Sequence, residues 1–190
     1  MQHLLVVTAS TRPSRKGPAI AGWFLEQARR HGKFDIEAVD LADVNLPLLD
    51  EPQHPRFGDY EHAHTQAWSA TVSRADAVVF VTPEYDHGPP AVLINALQYL
   101  VKEWAYKPLG FVSYGGVSAG TRSTNTLKMT ATSLKMMPIP EAVAIPFFTQ
   151  HFDEATEQFT PPKSQEEPAR VMLDELMRWA EALRNLRRGG

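Results

Sequence analysis

The sequence of 190 residues contains no cysteine at all. This absence excludes disulfide bonds, thiolate catalysis, CxxC redox chemistry and cysteine-rich zinc sites. Any redox chemistry must therefore come from a bound cofactor.

The sequence also lacks strong charge and long apolar runs. Its net charge is −3, which gives no electrostatic case for nucleic acid or an anionic membrane as a partner. No apolar run is long enough to span a bilayer, and no basic segment leads into a long apolar stretch at the N-terminus. We therefore expect a cytoplasmic protein that has neither nucleic acid nor a membrane among its partners.

Short apolar runs alternate with segments of helical periodicity over the whole chain. Hydrophobic residues make up 43% of it, enough for a proper core, and the length suits a single domain over residues 1–190. We predict strands at HLLVVTA, KFDIEAVDL, ADAVVFVT, PLGFVSYG and EAVAIPFF. We predict helices at 18–31, 61–74, 90–104, 121–135 and 169–188, the last one preceded by a linker at 160–168.

This alternation predicts an α/β fold. Strands separated by helices pair in parallel through right-handed crossovers. Five such units favour a doubly wound, flavodoxin-like parallel sheet of order 2-1-3-4-5 with helices on both faces, and ADAVVFVT belongs at its centre. Ligands of such sheets bind outside the carboxyl ends of the strands, so the loops after strands one, three and four are the candidate site.

The first strand is followed by STRPSRKG, directly before a helix. The loop combines three hydroxyls with three cations: Ser10, Thr11, Ser14, Arg12, Arg15 and Lys16. Backbone N–H groups and the positive end of the helix dipole make such a position an anion site. The loop matches neither G-x-G-x-x-G nor G-x-x-x-x-G-K-[ST], which disfavours a dinucleotide site and a P-loop. We predict a site for one terminal phosphate; an ordinary solvated loop is the alternative.

The third strand ends in TPEYDHGPP, residues 82–90. Pro83 fixes φ and removes a donor, Gly88 permits close approach of the backbone to a flat ligand, and Tyr85 supplies an aromatic wall. Such a turn can present main-chain groups to the edge of a planar ring. A rigid turn with Tyr85 packed on the protein is the alternative.

The fourth strand leads into SYGGVSAGTRS, which has glycines at 115, 116 and 120. A glycine-rich loop is weak evidence alone. Here, however, one loop suited to phosphate and two loops suited to a flat heterocycle lie at the same edge of the predicted sheet. That combination is what an FMN site needs.

Three stretches, TASTRPSRKG, TPEYDHGPPAVLINALQYL and SYGGVSAGTRS, resemble the signatures of the NADPH-dependent FMN reductase family. Its members are flavodoxin-like flavoproteins that include azoreductases and quinone or chromate reductases. The resemblance runs from the first strand through the fifth. It implies FMN as cofactor, NADPH or NADH as electron donor, and a homodimer or homotetramer that completes its site across the subunit interface.

The resemblance also assigns cofactor-binding residues. It matches the phosphate loop to Ser10, Thr11, Arg12 and Arg15. It matches the turn lining the isoalloxazine and ribityl chain to Pro83, Glu84, Tyr85, Asp86, His87 and Gly88, and the loop near the pyrimidine end of the ring to Tyr114, Gly115, Gly116 and Ser118. No catalytic acid or base and no metal are expected, because the flavin carries the chemistry.

The sequence departs from the family pattern at four positions. The family usually has asparagine at Asp86 and lysine at Ile94, and often glycine at Ala9 and Ser14. Asp86 matters most, because a carboxylate close to the flavin would lower its reduction potential. A side chain that points away from the ring would change nothing.

The function implied by the resemblance is an FMN-dependent oxidoreductase. Hydride passes from NAD(P)H to the bound flavin and on to a small acceptor such as a quinone, an azo compound, chromate or free flavin. The alternative is a flavin-binding electron carrier or redox sensor without NAD(P)H turnover of its own.

Two further groups of residues are open to interpretation. His62 and His64 are two residues apart and are expected on different helix faces, a poor arrangement for metal. Tyr99 and Trp104 either add a helix face suited to dimerisation or belong to the intramolecular core.

Overall fold

The computed structural model of the chain describes residues 1–153 and 155–188. The strands are β1 (Gln2–Thr8), β2 (Phe34–Asp40), β3 (Ala77–Pro83), β4 (Pro108–Tyr114) and β5 (Met137–Ile145). The α-helices are α1 (Gly17–His31), α2 (Leu41–Val44), α3 (Ala63–Arg74), α4 (Ala91–Gln98), α5 (Thr121–Ser133), α6 (Glu166–Ala182) and α7 (Arg184–Arg188). Short 3₁₀ turns lie at Pro55–Phe57, Lys102–Trp104, Phe148–His151 and Lys163–Gln165.

The five strands form one parallel sheet in the order β2-β1-β3-β4-β5. This confirms the predicted flavodoxin-like topology. β3 is buried along its whole length at the centre of the sheet, as the apolar run ADAVVFVT predicts. The connection reverses direction between β1 and β3, and the register brings Thr8 beside Val81 and Pro83 beside Tyr114. The carboxyl ends of β1, β3 and β4 therefore meet at one edge.

The core has two layers, one on each face of the sheet. Because side chains alternate along a strand, Leu4 and Val6 of β1 pack under α1 and α6, whereas Leu5 and Val7 pack under α3, α4 and α5. The closing helix α6 lies close to β4 at Gly110, where a Cβ would stand 2.9 Å from Met172 Sδ. Among the described residues, no helix is long and apolar enough to cross a membrane.

The helix after β3 ends well before the predicted end at Trp104. The indole N–H groups of Trp68 and Trp104 donate to the carbonyl oxygens of Ala96 and Leu97, at 3.0 and 3.1 Å. In a longer helix those two carbonyls would accept from the backbone N–H groups four residues later. The indoles therefore take over the acceptors that a longer helix would need.

Tyr99 and Trp104 belong to the core. Both are fully buried, and the Tyr99 hydroxyl donates to Asp50 Oδ1 at 2.9 Å. The structure thus favours the intramolecular alternative for these two aromatic side chains, and they offer no second face for dimerisation.

The expected separation of His62 and His64 is wrong. Their rings stack with centroids 5.2 Å apart, and each ring contacts Asp50. The reason is that His62 is the N-cap of α3 and has extended backbone, so helical spacing does not apply to it.

Two other predicted boundaries need correction. β5 begins at Met137, before the predicted EAVAIPFF, because Pro138 and Pro140 are tolerated in an edge strand. The closing helix begins at Glu166 rather than at residue 169, because Pro168 lies in its first turn, where its missing N–H is not needed. That helix also ends at Ala182, so the predicted single helix over 169–188 is two helices.

Candidate functional site

The β1–α1 loop places a buried hydroxyl beneath the start of α1. Ser10 is 1% exposed, and the Tyr114 hydroxyl donates to its Oγ at 3.3 Å. A Cβ at Gly17, the first residue of α1, would overlap Ser10 Oγ and stand 2.8 Å from the Tyr114 hydroxyl. Only glycine permits this approach, so the Ser10 hydroxyl lies at the positive end of the helix dipole.

The first turn of α1 is available to an anion. No side chain caps it, and Pro18 removes one of the N–H groups that would need a partner. Thr11 and Arg12 are exposed beside it, and the Arg12 guanidinium has no ion pair within the described chain. These features agree with the predicted phosphate loop.

Arg15 and Lys16 are already engaged elsewhere. The Arg15 guanidinium binds both carboxylate oxygens of Asp40, at 2.7 and 2.8 Å, and also donates to the Ser10 carbonyl. The Lys16 ammonium binds Glu157 at 2.8 Å. The resemblance assigns Arg15 to the phosphate loop, and in the structure its guanidinium anchors that loop to the end of β2.

The turn after β3 is a tight two-residue turn. The N–H of Tyr85 donates to the Gly88 carbonyl at 2.9 Å, and the N–H of Gly88 returns a bond to the Tyr85 carbonyl at 2.8 Å. The two central residues, Asp86 and His87, have φ of 48° and 69°, the left-handed pair that defines a type I′ turn. Asn, Asp and His tolerate this region best, so Asp86 is suited to the turn. Both central residues are exposed.

Glu84 fastens this turn to the start of α5. Its side chain is only 7% exposed, and its oxygens accept from the Arg122 backbone N–H at 3.1 Å and from the guanidinium at 2.9 Å. Burial tends to raise the pKa of Glu84, but hydrogen bonds from Ser118 and Arg122 outweigh it, so the pKa lies below its usual value. Its own N–H donates to the Tyr114 carbonyl at 3.3 Å. The Glu84 carboxylate thus joins two of the candidate loops.

The glycines of the β4–α5 loop have different roles. A Cβ at Gly120 would stand 2.8 Å from Tyr114 N, and one at Gly115 would stand 3.0 Å from Gly120 N, so the fold itself requires both. A Cβ at Gly116 would meet nothing within 4 Å, and one at Gly88 would make only an ordinary contact of 3.7 Å. The protein's own packing does not explain Gly116 and Gly88, and this fits the approach of an external ring.

Tyr114 lies at the end of β4, next to the loop that follows β1. Its hydroxyl donates to Ser10 in the predicted phosphate loop, and its ring packs on Phe148 with centroids 5.1 Å apart. The side chain is buried because β4 ends beneath α1. Hydrogen bonds from Tyr114 to Ser10 and from Glu84 to Tyr114 thus connect the three predicted loops. Pro83 is the last residue of β3, the strand between β1 and β4.

Sequence reasoning missed Gly17, Asp40 and Arg122 as parts of this site. A glycine as the first residue of a helix, directly before Pro18, was a usable signal of close approach. The pairings of Asp40 with Arg15 and of Arg122 with Glu84 join residues 25 and 38 positions apart. No local sequence pattern predicts ion pairs between residues so far apart in the chain.

The residues present fit FMN. The buried Ser10 hydroxyl accepts from Tyr114, and its own proton has no acceptor within the described chain, so it can donate to a phosphate oxygen. The uncapped first turn of α1 supplies further donors, and Gly116 leaves open space at the other loop. The space between the loops after β1, β3 and β4, here called the cradle, is thus suited to a phosphate at one end and a flat ring at the other.

Comparison with known proteins agrees with this geometry. Residues 3–150 match the family described as NADPH-dependent FMN reductase. An NAD(P)H-dependent FMN reductase of Schizosaccharomyces pombe is 44% identical over 144 residues, covering 75% of this chain and 72% of that protein. One from Saccharomyces cerevisiae is 32% identical over 174 residues, covering 78% and 90%.

A solved structure supports the fold. The flavoenzyme NAD(P)H:acceptor oxidoreductase FerB of Paracoccus denitrificans superposes with a TM-score of 0.71 at 18% identity, covering 96% of this chain and 98% of that one. The family match includes β1, β3, β4 and the loops that follow them. This chain belongs to the NADPH-dependent FMN reductase family.

Proposed function

We propose that this chain binds FMN at the carboxyl edge of its sheet and reduces a small acceptor at the expense of NADPH or NADH. One observation carries the proposal: three loops within the family match meet at one edge of the sheet. They bring together the buried Ser10 hydroxyl, the uncapped start of α1, and Gly88 and Gly116, whose lack of a side chain the protein's own packing does not require. Relatives of the chain are named as an azoreductase of Staphylococcus saprophyticus and a quinone reductase of Pseudomonas putida. We accordingly propose quinones, azo compounds, chromate or free flavin as acceptors.

The phosphate end is held by hydroxyls, backbone and one cation. Ser10 and Thr11 offer hydroxyl protons, the first turn of α1 offers N–H groups, and Arg12 offers an exposed guanidinium. Arg15 acts indirectly, since its bonds to Asp40 and to the Ser10 carbonyl fix the path of the loop. The N–H groups and cation supply the positive charge that a phosphate dianion needs.

The ring end is held by main-chain groups of two turns. The Tyr85–Gly88 turn is rigid because its ends are paired twice, and the Glu84 carboxylate keeps it against the loop after β4. FMN held there would supply the two-electron redox chemistry between the nicotinamide and the acceptor. The side chains of Val117 and Phe147 are apolar and exposed. The Phe147 N–H donates to the Gly116 carbonyl, which brings their two segments together, so they provide a surface for a flat apolar acceptor.

The first test is a flavin titration followed by turnover. We expect saturable FMN binding, loss of the flavin absorption band when NADPH is added without oxygen, and steady NAD(P)H oxidation with a quinone. Gly116→Val should abolish FMN binding without lowering the unfolding midpoint, because a Cβ there meets no protein atom within 4 Å and the side chain would project into the space proposed for the ring. Gly22→Ala, also in open space but on α1, should bind FMN as the wild type does. Wild-type protein that binds no FMN, or binds it without oxidising NAD(P)H, would contradict the proposal.

We further propose a homodimer or homotetramer. Leu48 is 83% exposed and Leu49 is 40% exposed, and the Leu49 N–H is fixed to Asn95 Oδ1 of α4 at 3.0 Å. A rigid apolar pair beside α4 is suited to a subunit contact. Leu48→Asp should then lower the mass measured by light scattering, whereas Leu186→Asp, at an exposed position on α7, should not. An unchanged mass for Leu48→Asp would place the contact elsewhere.

We also propose a cytoplasmic location, where the NAD(P)H that the reaction consumes is available. Fractionation of cells that express the chain tests this directly. Recovery with the cytosolic marker is the expected outcome, and recovery with another compartment would contradict it.

A further inference from the structure

We infer that Tyr114 is a positioning residue for the flavin phosphate, and that it makes the site selective for FMN over riboflavin. The inference rests on the proposed function and deepens it. It concerns a residue of β4 that the family resemblance assigns to the loop at the ring end of the site. What carries it is the place of the Tyr114 hydroxyl in the fold.

The first step is the direction of the hydrogen bond between Tyr114 and Ser10. Their oxygens are 3.3 Å apart, and the two residues are 3% and 1% exposed. A phenol is a better donor than an aliphatic hydroxyl. Burial raises the pKa of Tyr114, so the phenol stays protonated throughout the working pH range. Since the phenol is the better donor of the two, the contact is assigned with Tyr114 donating and Ser10 Oγ accepting.

The second step concerns the proton of Ser10. A hydroxyl has one proton and two lone pairs. With one lone pair occupied by Tyr114, the Ser10 O–H bond is directed away from the phenol, and its proton finds no acceptor among the residues that the structure describes. A phosphate oxygen accepts only, so it requires this orientation. Without the Tyr114 hydroxyl, the Ser10 hydroxyl would rotate freely.

The third step is the location of the pair. A Cβ on Gly17 would overlap Ser10 Oγ and come within 2.8 Å of the Tyr114 hydroxyl, so both oxygens lie at the first residue of α1. That helix end is uncapped and carries the positive end of the dipole. The pair therefore lies at the phosphate end of the cradle, at the start of α1.

The ring of Tyr114 is fixed independently of its hydroxyl. It packs edge-on against Phe148, which packs in turn on Phe152. Tyr114→Phe should keep this packing and lose only the hydrogen bond. The matched control is Tyr106→Phe, at a half-buried tyrosine in the turn before β4, distant from the carboxyl edge.

The experiment compares the dissociation constants of FMN and riboflavin by quenching of flavin fluorescence. Riboflavin lacks the phosphate, so it reports the ring end alone. We expect Tyr114→Phe to weaken FMN binding about 5- to 10-fold, the typical effect of one hydrogen bond, and to leave riboflavin unchanged. Ser10→Ala should weaken FMN about 10- to 100-fold, and the double variant should bind as Ser10→Ala does, because Tyr114 acts through Ser10.

Two further readouts separate positioning from loss of structure. The ³¹P resonance of bound FMN should shift in Tyr114→Phe and not in Tyr106→Phe. Thermal unfolding without flavin shows whether the variant is folded. If it is not, Ser10→Ala can still overturn the inference, since a Ser10→Ala variant that keeps its FMN affinity would leave Tyr114 with no phosphate donor to position.

The outcomes distinguish the inference from the proposed function. An unchanged ratio of FMN to riboflavin affinity in Tyr114→Phe, or an equal loss of both, would overturn the inference while wild-type FMN binding and NAD(P)H oxidation stood. Additive losses in the double variant would overturn it too, because they would separate Tyr114 from Ser10. Wild-type protein that binds neither flavin would overturn the proposed function itself.

Discussion

At the scale of single residues, two glycines of α1 have very different surroundings. Gly17 faces the Ser10 hydroxyl and the Tyr114 hydroxyl, whereas a Cβ on Gly22 would meet nothing within 4 Å. Gly17→Ala should therefore lower the free energy of unfolding by about 1–3 kcal/mol, as overpacking does, and weaken FMN binding strongly. Gly22→Ala should raise it by up to about 1 kcal/mol through helix propensity.

Urea denaturation and FMN titration of both variants check this. The two substitutions add the same methyl group to the same helix, so general effects of alanine cancel. Equal stability and equal FMN affinity of the two variants would show that Ser10 does not need the space at Gly17.

The second residue-scale prediction concerns the turn at Asp86. This residue and His87 are both left-handed, a region closed in practice to β-branched side chains. Asp86→Val should cost about 1–2 kcal/mol of unfolding free energy, whereas Asp86→Asn should change it by less than about 0.5 kcal/mol. Chemical denaturation measures both. A stable Asp86→Val variant would mean that the turn is not held in the type I′ form.

At the scale of elements, the Glu84 carboxylate is what connects the turn after β3 to α5. Glu84→Ala leaves the Arg122 N–H and guanidinium without their acceptor. We expect it to lower the free energy of unfolding by about 1–3 kcal/mol and to speed amide exchange in residues 115–122. Glu167→Ala, which removes an exposed ion pair with Arg170, should cost about 0–1 kcal/mol.

Hydrogen exchange followed by mass spectrometry tests the local part of this prediction. Faster exchange confined to residues 84–88 and 115–122 is expected for Glu84→Ala and absent for Glu167→Ala. If exchange in those segments matched that of the wild type, the two loops would be held together by the sheet alone.

The elements also show what the sequence could predict. Alternating apolar runs and helical segments predicted the strand order correctly, because right-handed crossovers leave few alternatives. The end of α4 was not predictable, because it depends on indole donors of Trp68 and Trp104 reaching carbonyls from outside the helix. The early start of β5 was concealed by Pro138 and Pro140, which only an edge position tolerates.

The same division holds within the candidate site. The loops were predictable, since a strand that ends in polar, glycine-rich sequence has a short list of explanations. The side-chain pairs were not, since Tyr114 and Ser10 are 104 positions apart in the sequence and Arg15 finds Asp40 only once β1 and β2 are aligned. The sequence pattern therefore predicts where the loops of the site lie, whereas the contacts made in the folded chain determine which of their side chains remain available to a ligand.

At the scale of the whole molecule, one buried charge should control stability at alkaline pH. Lys107 is 4% exposed at the start of β4, and its ammonium donates to the carbonyls of Val72 and Ser73 in the last turn of α3. Burial, with a smaller contribution from the charge of Arg187, lowers the pKa of Lys107 from 10.5 to about 8. The folded state therefore releases this proton before the unfolded state does.

The sign of the effect follows from proton binding. Below pH 8 both states hold the proton, so Lys107 adds no pH dependence. Between pH 8 and 10 the unfolded chain binds more protons than the folded one, so stability rises with pH. The slope reaches at most about 1.4 kcal/mol per pH unit and is smaller near both pKa values, so the rise over this window is about 2 kcal/mol. Above pH 10 the trend reverses, because burial also raises the pKa of Tyr99 to about 12 and the unfolded tyrosine ionises first.

Urea unfolding of the wild type and of Lys107→Met at pH 7.5, 8.5, 9.5 and 10 isolates this contribution. The difference between the two free energies should change by about 2 kcal/mol across the series, in favour of the wild type as pH rises. Lys163→Met, at an exposed lysine, should run parallel to the wild type. A constant difference for Lys107→Met would mean that the carbonyls of Val72 and Ser73 stabilise the ammonium enough to cancel the effect of its burial.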